Sequence, residues 1–260
     1  QPVLGNLDGN QYAKISWLSS ATHALLVDTA QSIEPGMNGS QVKGLILKNL
    51  YENDIETNLV LVGLEGQEGH LHPLYSTDYT VPEKGIIKIV VGARFAEIIF
   101  SHTLMIKFGG KLTEEEEKAF EAIRQATWRY SDSYRAGVRG DQIYHNIASI
   151  FKDIEKEYGV DWFGSSAYYH HLGGPTSPLG NRDFLLSKDG GQVLKEWQQF
   201  AVNPVETKYN IKVEMQGIVQ ADDSPIILPL SKCLPEKYKD SVIEMDVGAK
   251  KIETANFIFR

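Results

Sequence analysis

The chain has 260 residues, 42% of them apolar and 23% charged, enough to bury a large core without disulfide staples. Its net charge of −8 argues against a nucleic-acid backbone or an anionic membrane as principal partner, and no apolar run approaches the roughly 20 residues that span a bilayer. Cys233 is the only cysteine, which suits a reducing, cytoplasmic compartment, and the start at Gln1 rather than Met suggests a trimmed chain once preceded by a smaller domain.

Ile15, Leu18, Leu25 and Leu26 mark an amphipathic helix over 12–31, which Pro35-Gly36 ends. Val42, Leu45, Ile46, Asn49 and Leu50 keep helical spacing, predicting a second helix over 39–52 that starts near Ser40. Leu59-Val-Leu-Val62 reads as a short strand and residues 63–73 as a loop. Residues 86–91 and 94–100 are β-branched and aromatic segments flanking Gly92-Ala93, the pattern of a hairpin turning there, and a further strand follows at 103–108. Thr113 and Glu116 have capping-box spacing, and Phe120, Ile123, Thr127, Tyr130 and Tyr134 form one helical stripe behind them. The acidic run Glu114–Glu117 falls in the first turn, where carboxylates complement the helix dipole. Gly137 ends that helix and another is expected over 140–157. A Gly/Pro/His-rich segment covers 164–182, strands are expected at 199–203, 210–219 and 226–230, and Ile252 to Phe259 reads as a closing strand.

Two stretches repeat each other. Gly36, Gly39, Gln41 and Val42 match Gly137, Gly140, Gln142 and Ile143 at an offset of 101 positions (137 − 36), and the apolar positions Ile46 and Leu50 match Ile147 and Phe151. Glycine pairs before helices recur by chance, but here the order of elements repeats with the residues. The expectation is one α+β domain over 1–260 with an internal pseudo-twofold duplication: half one about 12–110, half two about 111–235, and a closing strand about 250–260.

Several motifs then occur in a family's order. Glu34-Pro-Gly-Met-Asn-Gly, His72-Pro-Leu, Gly92-Ala-Arg-Phe, Phe108-Gly-Gly-Lys-Leu-Thr-Glu-Glu, His170-His-Leu-Gly-Gly174, Phe200-Ala-Val-Asn-Pro204 and Lys212-Val-Glu214 span most of the chain. Together they resemble the pita-bread superfamily of creatinase, aminopeptidase P, prolidase and methionine aminopeptidase, in the aminopeptidase P/creatinase branch. The resemblance implies a pita-bread fold, a homodimer and peptidase-type hydrolysis. Peptidases of this family hold two divalent metals with two Asp, one His and two Glu, because bridging carboxylates cancel the repulsion of paired cations that activate a water.

Carried onto this chain, the first two Asp positions fall on Val90 and, eleven residues later, Ser101, while the Glu before Pro204 is Asn203. Only a loop histidine, His170 or His171, and Glu214 keep matching types. Two strong ligands do not hold a dinuclear site, so no cofactor is expected. A lesser alternative is a mononuclear metal on His102, His171 and Glu214, which needs a one-residue register shift to turn His102 inward. By analogy with metal-free creatinase, His171 would be the acid/base, with His170 beside it and Glu214 as a cation contact. Arg182, from Gly180-Asn-Arg-Asp183, Asn203, His72 and Tyr169 would help bind a small peptide-like or amidino ligand. Packed loop residues are the plainer reading of His170, His171 and Tyr169, and solvated strand positions that of Lys208 and Lys212. His23, His72 and His145 show no partner in sequence. A non-catalytic peptide- or protein-binding module, and a metallo-aminopeptidase with altered ligands, are the two other functions this pattern allows.

Overall fold

The computed structural model describes residues 9–64, 77–160, 188–206, 208–221, 224–247 and 250–260. Helices α1 (Gly9–Ala30) and α2 (Gly39–Tyr51) precede three strands, β1 (Glu56–Gly63), β2 (Gly85–Phe95) and β3 (Ile98–Phe108). Helices α3 (Glu114–Ser131) and α4 (Gly140–Tyr158) follow, then short strands β4 (Gln199–Val202), β5 (Val205–Glu206), β6 (Ile211–Lys212), β7 (Met215–Ile218) and β8 (Ile226–Ile227). A 3-10 helix at Glu236–Ser241 leads into β9 (Val242–Val247), β10 (Lys250–Ala255) and β11 (Ile258–Phe259). Among the described residues no helix is long and apolar enough to cross a membrane.

β1, β2, β3 and β11 form the central sheet in that order, antiparallel except that β11 lies parallel to β3. Side chains alternate between its faces. Ile87, Ile89 and Val91 of β2 and Phe100, Leu104 and Ile106 of β3 pack with Ile15, Leu18, Leu26, Val42, Ile46 and Leu50 of α1 and α2. The opposite face of β3 contributes Met105 to a second core. There Phe120, Ile123, Tyr130, Ile143, Ile147 and Phe151 of α3 and α4 meet Phe200, Val202, Ile211, Val213 and Met215. Helices thus lie outermost on both sides, with the short strands between the central sheet and α3/α4.

The predicted helices form, and the repeated Gln has a physical role. Asn38, rather than Ser40, is the N-cap of α2: Gln41 N–H donates to Asn38 Oδ1 at 3.0 Å, and Asn38 N–H to Gln41 Oε1 at 2.9 Å. Gln142 makes the second half of that box at α4, accepting Arg139 N–H at 3.0 Å. The preceding turns agree bond for bond. Gly36 and Gly137 have φ of 87° and 85°, in the region that favours glycine. Gly36 N–H donates to Val81 O and Val81 N–H to Met37 O; Gly137 N–H donates to Leu194 O and Leu194 N–H to Val138 O.

The structure corrects three strand assignments. β2 runs straight through Gly92-Ala93, and the hairpin turns at Ala96-Glu97, with Ala96 at φ 50°. Gly92 instead lies beside the irregularity between Thr57 and Leu59 of β1, where a Cβ would fall 2.1 Å from Asn58 Oδ1. The stretch 210–219 is two strands: β6 pairs with β5, and β7 with β4 and β8. The closing segment is also divided. β10 forms a hairpin with β9, a strand outside the expected set, and only Ile258 and Phe259 join the central sheet.

Candidate functional site

The register of β2 on β3 sets Val90 opposite Thr103 and Gly92 opposite Ser101. Lys88, Val90 and Gly92 therefore share one sheet face with Ser101, Thr103 and Met105, the face turned toward the short strands. Across that seam, Val202 pairs with Met215 and Val205 with Lys212, so the break at Asn203-Pro204 lies opposite the break at Val213-Glu214. Proline has no N–H for a ladder, which accounts for the first break.

Glu214 is buried in this seam. Its Oε2 accepts the Thr103 hydroxyl at 2.5 Å and faces the Lys212 ammonium at 3.2 Å, both ionic side chains being essentially inaccessible to water. Its Oε1 is buried with no hydrogen-bond partner. Lys88, 1% exposed, donates to Asn210 Oδ1 at 2.6 Å. Burial, and then the like charge of Lys212, bring the Lys88 ammonium down to about 7. Gln199 and Gln216 lace the seam through the carbonyls of Ile99 and Ser101, at 2.9 and 2.8 Å. Asn203 is half-buried, and its main-chain N–H donates to Tyr130 Oη at 3.0 Å. Burial, followed by Tyr134, pushes the Tyr130 phenol well above its ordinary range, and the Glu214 carboxylate adds to this.

Of the site residues expected from sequence, Glu214, Asn203, Val90 and Ser101 come to this seam. His102 does not. The register shift it needed is absent, so it lies on the α1 face, stacked on Phe100 and 2.9 Å from His23 Nδ1. The mononuclear set of His102, His171 and Glu214 is therefore not assembled, because His102 and Thr103 point to opposite faces. His72, Tyr169, His170, His171 and Arg182 lie outside the described residues.

Lys212 is corrected from a solvated strand position to a buried ion-pair partner, whereas Lys208 is exposed and pairs with Glu115. Lys88, Thr103, Asn210 and Tyr130 were not singled out as site residues. Lys88 had a readable signal: it interrupts Ile86-Ile-Lys-Ile-Val-Val91, a run apolar enough to be buried on both faces.

His23 gains a partner set that its sequence position did not disclose. Its Nε2 is 2.7 Å from Ser241 Oγ, and Ser241 in turn donates to the Tyr238 carbonyl. With both imidazoles neutral, His23 donates from Nε2 to Ser241 Oγ and accepts at Nδ1 from His102 Nε2. Burial brings His102 down to about 3, with the Lys212 charge adding to this, and lowers His23 well below its ordinary value.

Residues 14–227 match the profile of metallopeptidase family M24. The chain belongs to that family. Its fold is similar to that of the X-Pro aminopeptidase from Thermotoga maritima, with a TM-score of 0.74 at 18% identity over 99% of this chain. The prolidase from Pyrococcus furiosus aligns with a TM-score of 0.72 at 16% identity over 87%, and the dipeptidase PepE from Mycobacterium ulcerans with 0.71 at 14% over 88%. The chain spans 65%, 65% and 60% of those three proteins, respectively. Comparison with curated proteins finds no match. These likenesses bear out the α+β pita-bread fold expected from sequence.

Proposed function

We propose that this M24 protein works without a dinuclear metal and uses its central seam to bind a small peptide-like ligand. The observation that carries the reading is the state of Glu214. One of its oxygens is already taken by the Thr103 hydroxyl and the Lys212 ammonium, in place of a metal ion. The neighbouring positions where the family resemblance calls for carboxylates are Val90, Ser101 and Asn203, an apolar side chain and two weak neutral donors. Among the described residues no three His, Cys, Asp or Glu side chains gather as a metal site. This donor set does not fit a pair of cations, which need bridging carboxylates. An amidino ligand is the weaker choice, because Lys212 already holds the position such a cation would take on Glu214.

In this reading the two helix pairs descend from one duplicated unit, supported by the matched turns at Gly36 and Gly137. The protein also forms a homodimer. If it is catalytic, it is a metal-free hydrolase with His171 as acid/base; if not, it is a peptide-binding module.

Elemental analysis of protein purified without chelator, with an Xaa-Pro peptide assay in added Mn, Co or Zn, tests the proposal. Substoichiometric metal and no metal-dependent hydrolysis are expected. Two metals per chain with metal-dependent turnover would reject it. Any metal-free hydrolysis should vanish in His171→Ala, whereas a binding module would retain its ligand.

A further inference from the structure

Lys88 carries the one buried charge in the seam that no acid balances among the described residues. Lys212 has Glu214, and Lys107 has Glu116 at 2.7 Å, but the sole partner of Lys88 is the neutral amide oxygen of Asn210. A buried ammonium without a counter-ion is strongly disfavoured, so such a group either sheds its proton or attracts an anion.

Asn210 links Lys88 to an opening. A cleft of about 200 Å³ lies between the start of β2, the first turn of α3 and the β5–β6 turn, with Gly85, Ile86, Glu116, Lys208, Tyr209 and Asn210 on its walls. Because the ammonium must face the amide oxygen, the Asn210 NH2 points away from Lys88, and among the described residues it donates to nothing. Asn210 is itself 7% exposed and held at φ 58°, so the turn fixes its amide in place. Glu116 takes Lys107 and the Thr113 N–H, and Lys208 faces Glu115. Behind the walls Lys212 pairs with Glu214, and the buried Glu206 carboxylate is held by the Lys208 and Tyr209 N–H groups. Lys88 is the buried cation that none of these acids contacts, and it lies behind an idle donor.

We propose that this cleft binds a small carboxylate, contacted directly by the Asn210 NH2 and attracted by the Lys88 ammonium behind it. A buried cation with no acid in contact with it suits a ligand that carries one negative charge. The cleft supplies no arginine fork of the kind that recognises phosphate in bidentate fashion. This deepens the peptide-like ligand proposed above by fixing the charge of one of its ends, and it rests on that reading. Lys88 acts here as a positioning residue, through Asn210. The depressed Lys88 couples binding to protonation, because an anion in the cleft favours the charged amine.

Titration of the full chain with acetate and propionate at pH 8, followed by the Asn210 side-chain amide signals in NMR, tests this. Calorimetry in two buffers of different ionisation enthalpy reports the protons exchanged. Saturable binding with proton uptake is expected for both carboxylates, with guanidinium giving none. Lys88→Met, which leaves an apolar side chain in the same place, should lose at least tenfold in affinity and all proton uptake while remaining folded by circular dichroism. Asn210→Gly keeps the left-handed turn and should also lose binding. No saturable shift, equal affinity in Lys88→Met, or binding without proton uptake would overturn the proposal. So would inorganic phosphate binding more tightly than acetate. Metal content decides the preceding reading separately, since it does not depend on any anion.

Discussion

Neighbouring residues of one strand, His102 and Thr103, begin two different buried polar chains. On the α1 face, His102 passes to His23, then Ser241, then the Tyr238 carbonyl, and the chain closes on a main-chain acceptor. Every step is neutral. On the other face, Thr103 passes to Glu214 and Lys212, and the chain stays open: among the described residues Glu214 Oε1 has no partner and Lys88 no counter-ion. A closed neutral chain serves packing, because each link passes a hydrogen bond on until a main-chain carbonyl accepts the last. An open charged one holds valences that packing alone would not leave unused. The two-residue period of one strand thus separates a closed neutral chain from an open charged one.

The sharpest way to break this comparison is to remove one partner of the ion pair. Lys212→Met strands the Glu214 carboxylate in a water-free seam and should cost about 3–5 kcal/mol in urea denaturation, with most of the loss recovered in a Lys212→Met/Glu214→Leu double variant. A loss under about 1 kcal/mol would mean that the seam is wetter than its burial implies.

The second test uses acid. His102 is at about 3 in the folded protein and near 6.5 when unfolded, so the unfolded state binds more protons between those values. Stability contributed by the closed chain is full above pH 6.5 and is lost as pH falls toward 3, by about 3 kcal/mol at pH 4. A His23→Leu/His102→Leu variant should lack that acid slope.

The third test is the open face at alkaline pH. Lys88 lies at about 7 folded against 10.5 unfolded, so stability should rise between pH 7 and 10.5. Lys88→Met should flatten that rise and be the more stable protein at pH 7. The two faces would then titrate in separate windows, acid for the histidines and alkaline for the lysine.

The smallest effect is that of Gly92→Ala, which meets the movable end of Asn58 and should cost about 1 kcal/mol; Gly217→Ala, which drives a Cβ to 2.5 Å from the buried Phe200 ring, should cost more, about 3 kcal/mol.

Helices were legible in this sequence because each carries its own apolar period, helped by the breaking glycines Gly36 and Gly137 and by one capping box. Thr113 and Glu116 read directly as the cap they form. The strands were harder. Gly92 read as a turn because glycine marks turns, yet what it satisfies is the close approach of β1, a contact 35 residues away. The hairpin of β9 and β10 had a signal in Ile243-Glu-Met-Asp-Val247, whose apolar and charged residues alternate strictly, but the run is only five residues long.

At the site, family resemblance singled out Val90, Ser101, Asn203 and Glu214, positions that lie along the seam. It did not reveal the lysines, because the burial of Lys212 depends on which face of a broken strand it occupies. His102 went the same way: one step of register decides between the seam and the α1 core, and sequence does not fix that step.

The most direct measurement is the number of divalent ions held per chain after equilibrium dialysis against Mn at neutral pH, compared with Lys212→Met. The account predicts none in the wild-type protein, because the ammonium already occupies the single carboxylate. Two ions per wild-type chain, displaced by chelator and required for peptide hydrolysis, would contradict it.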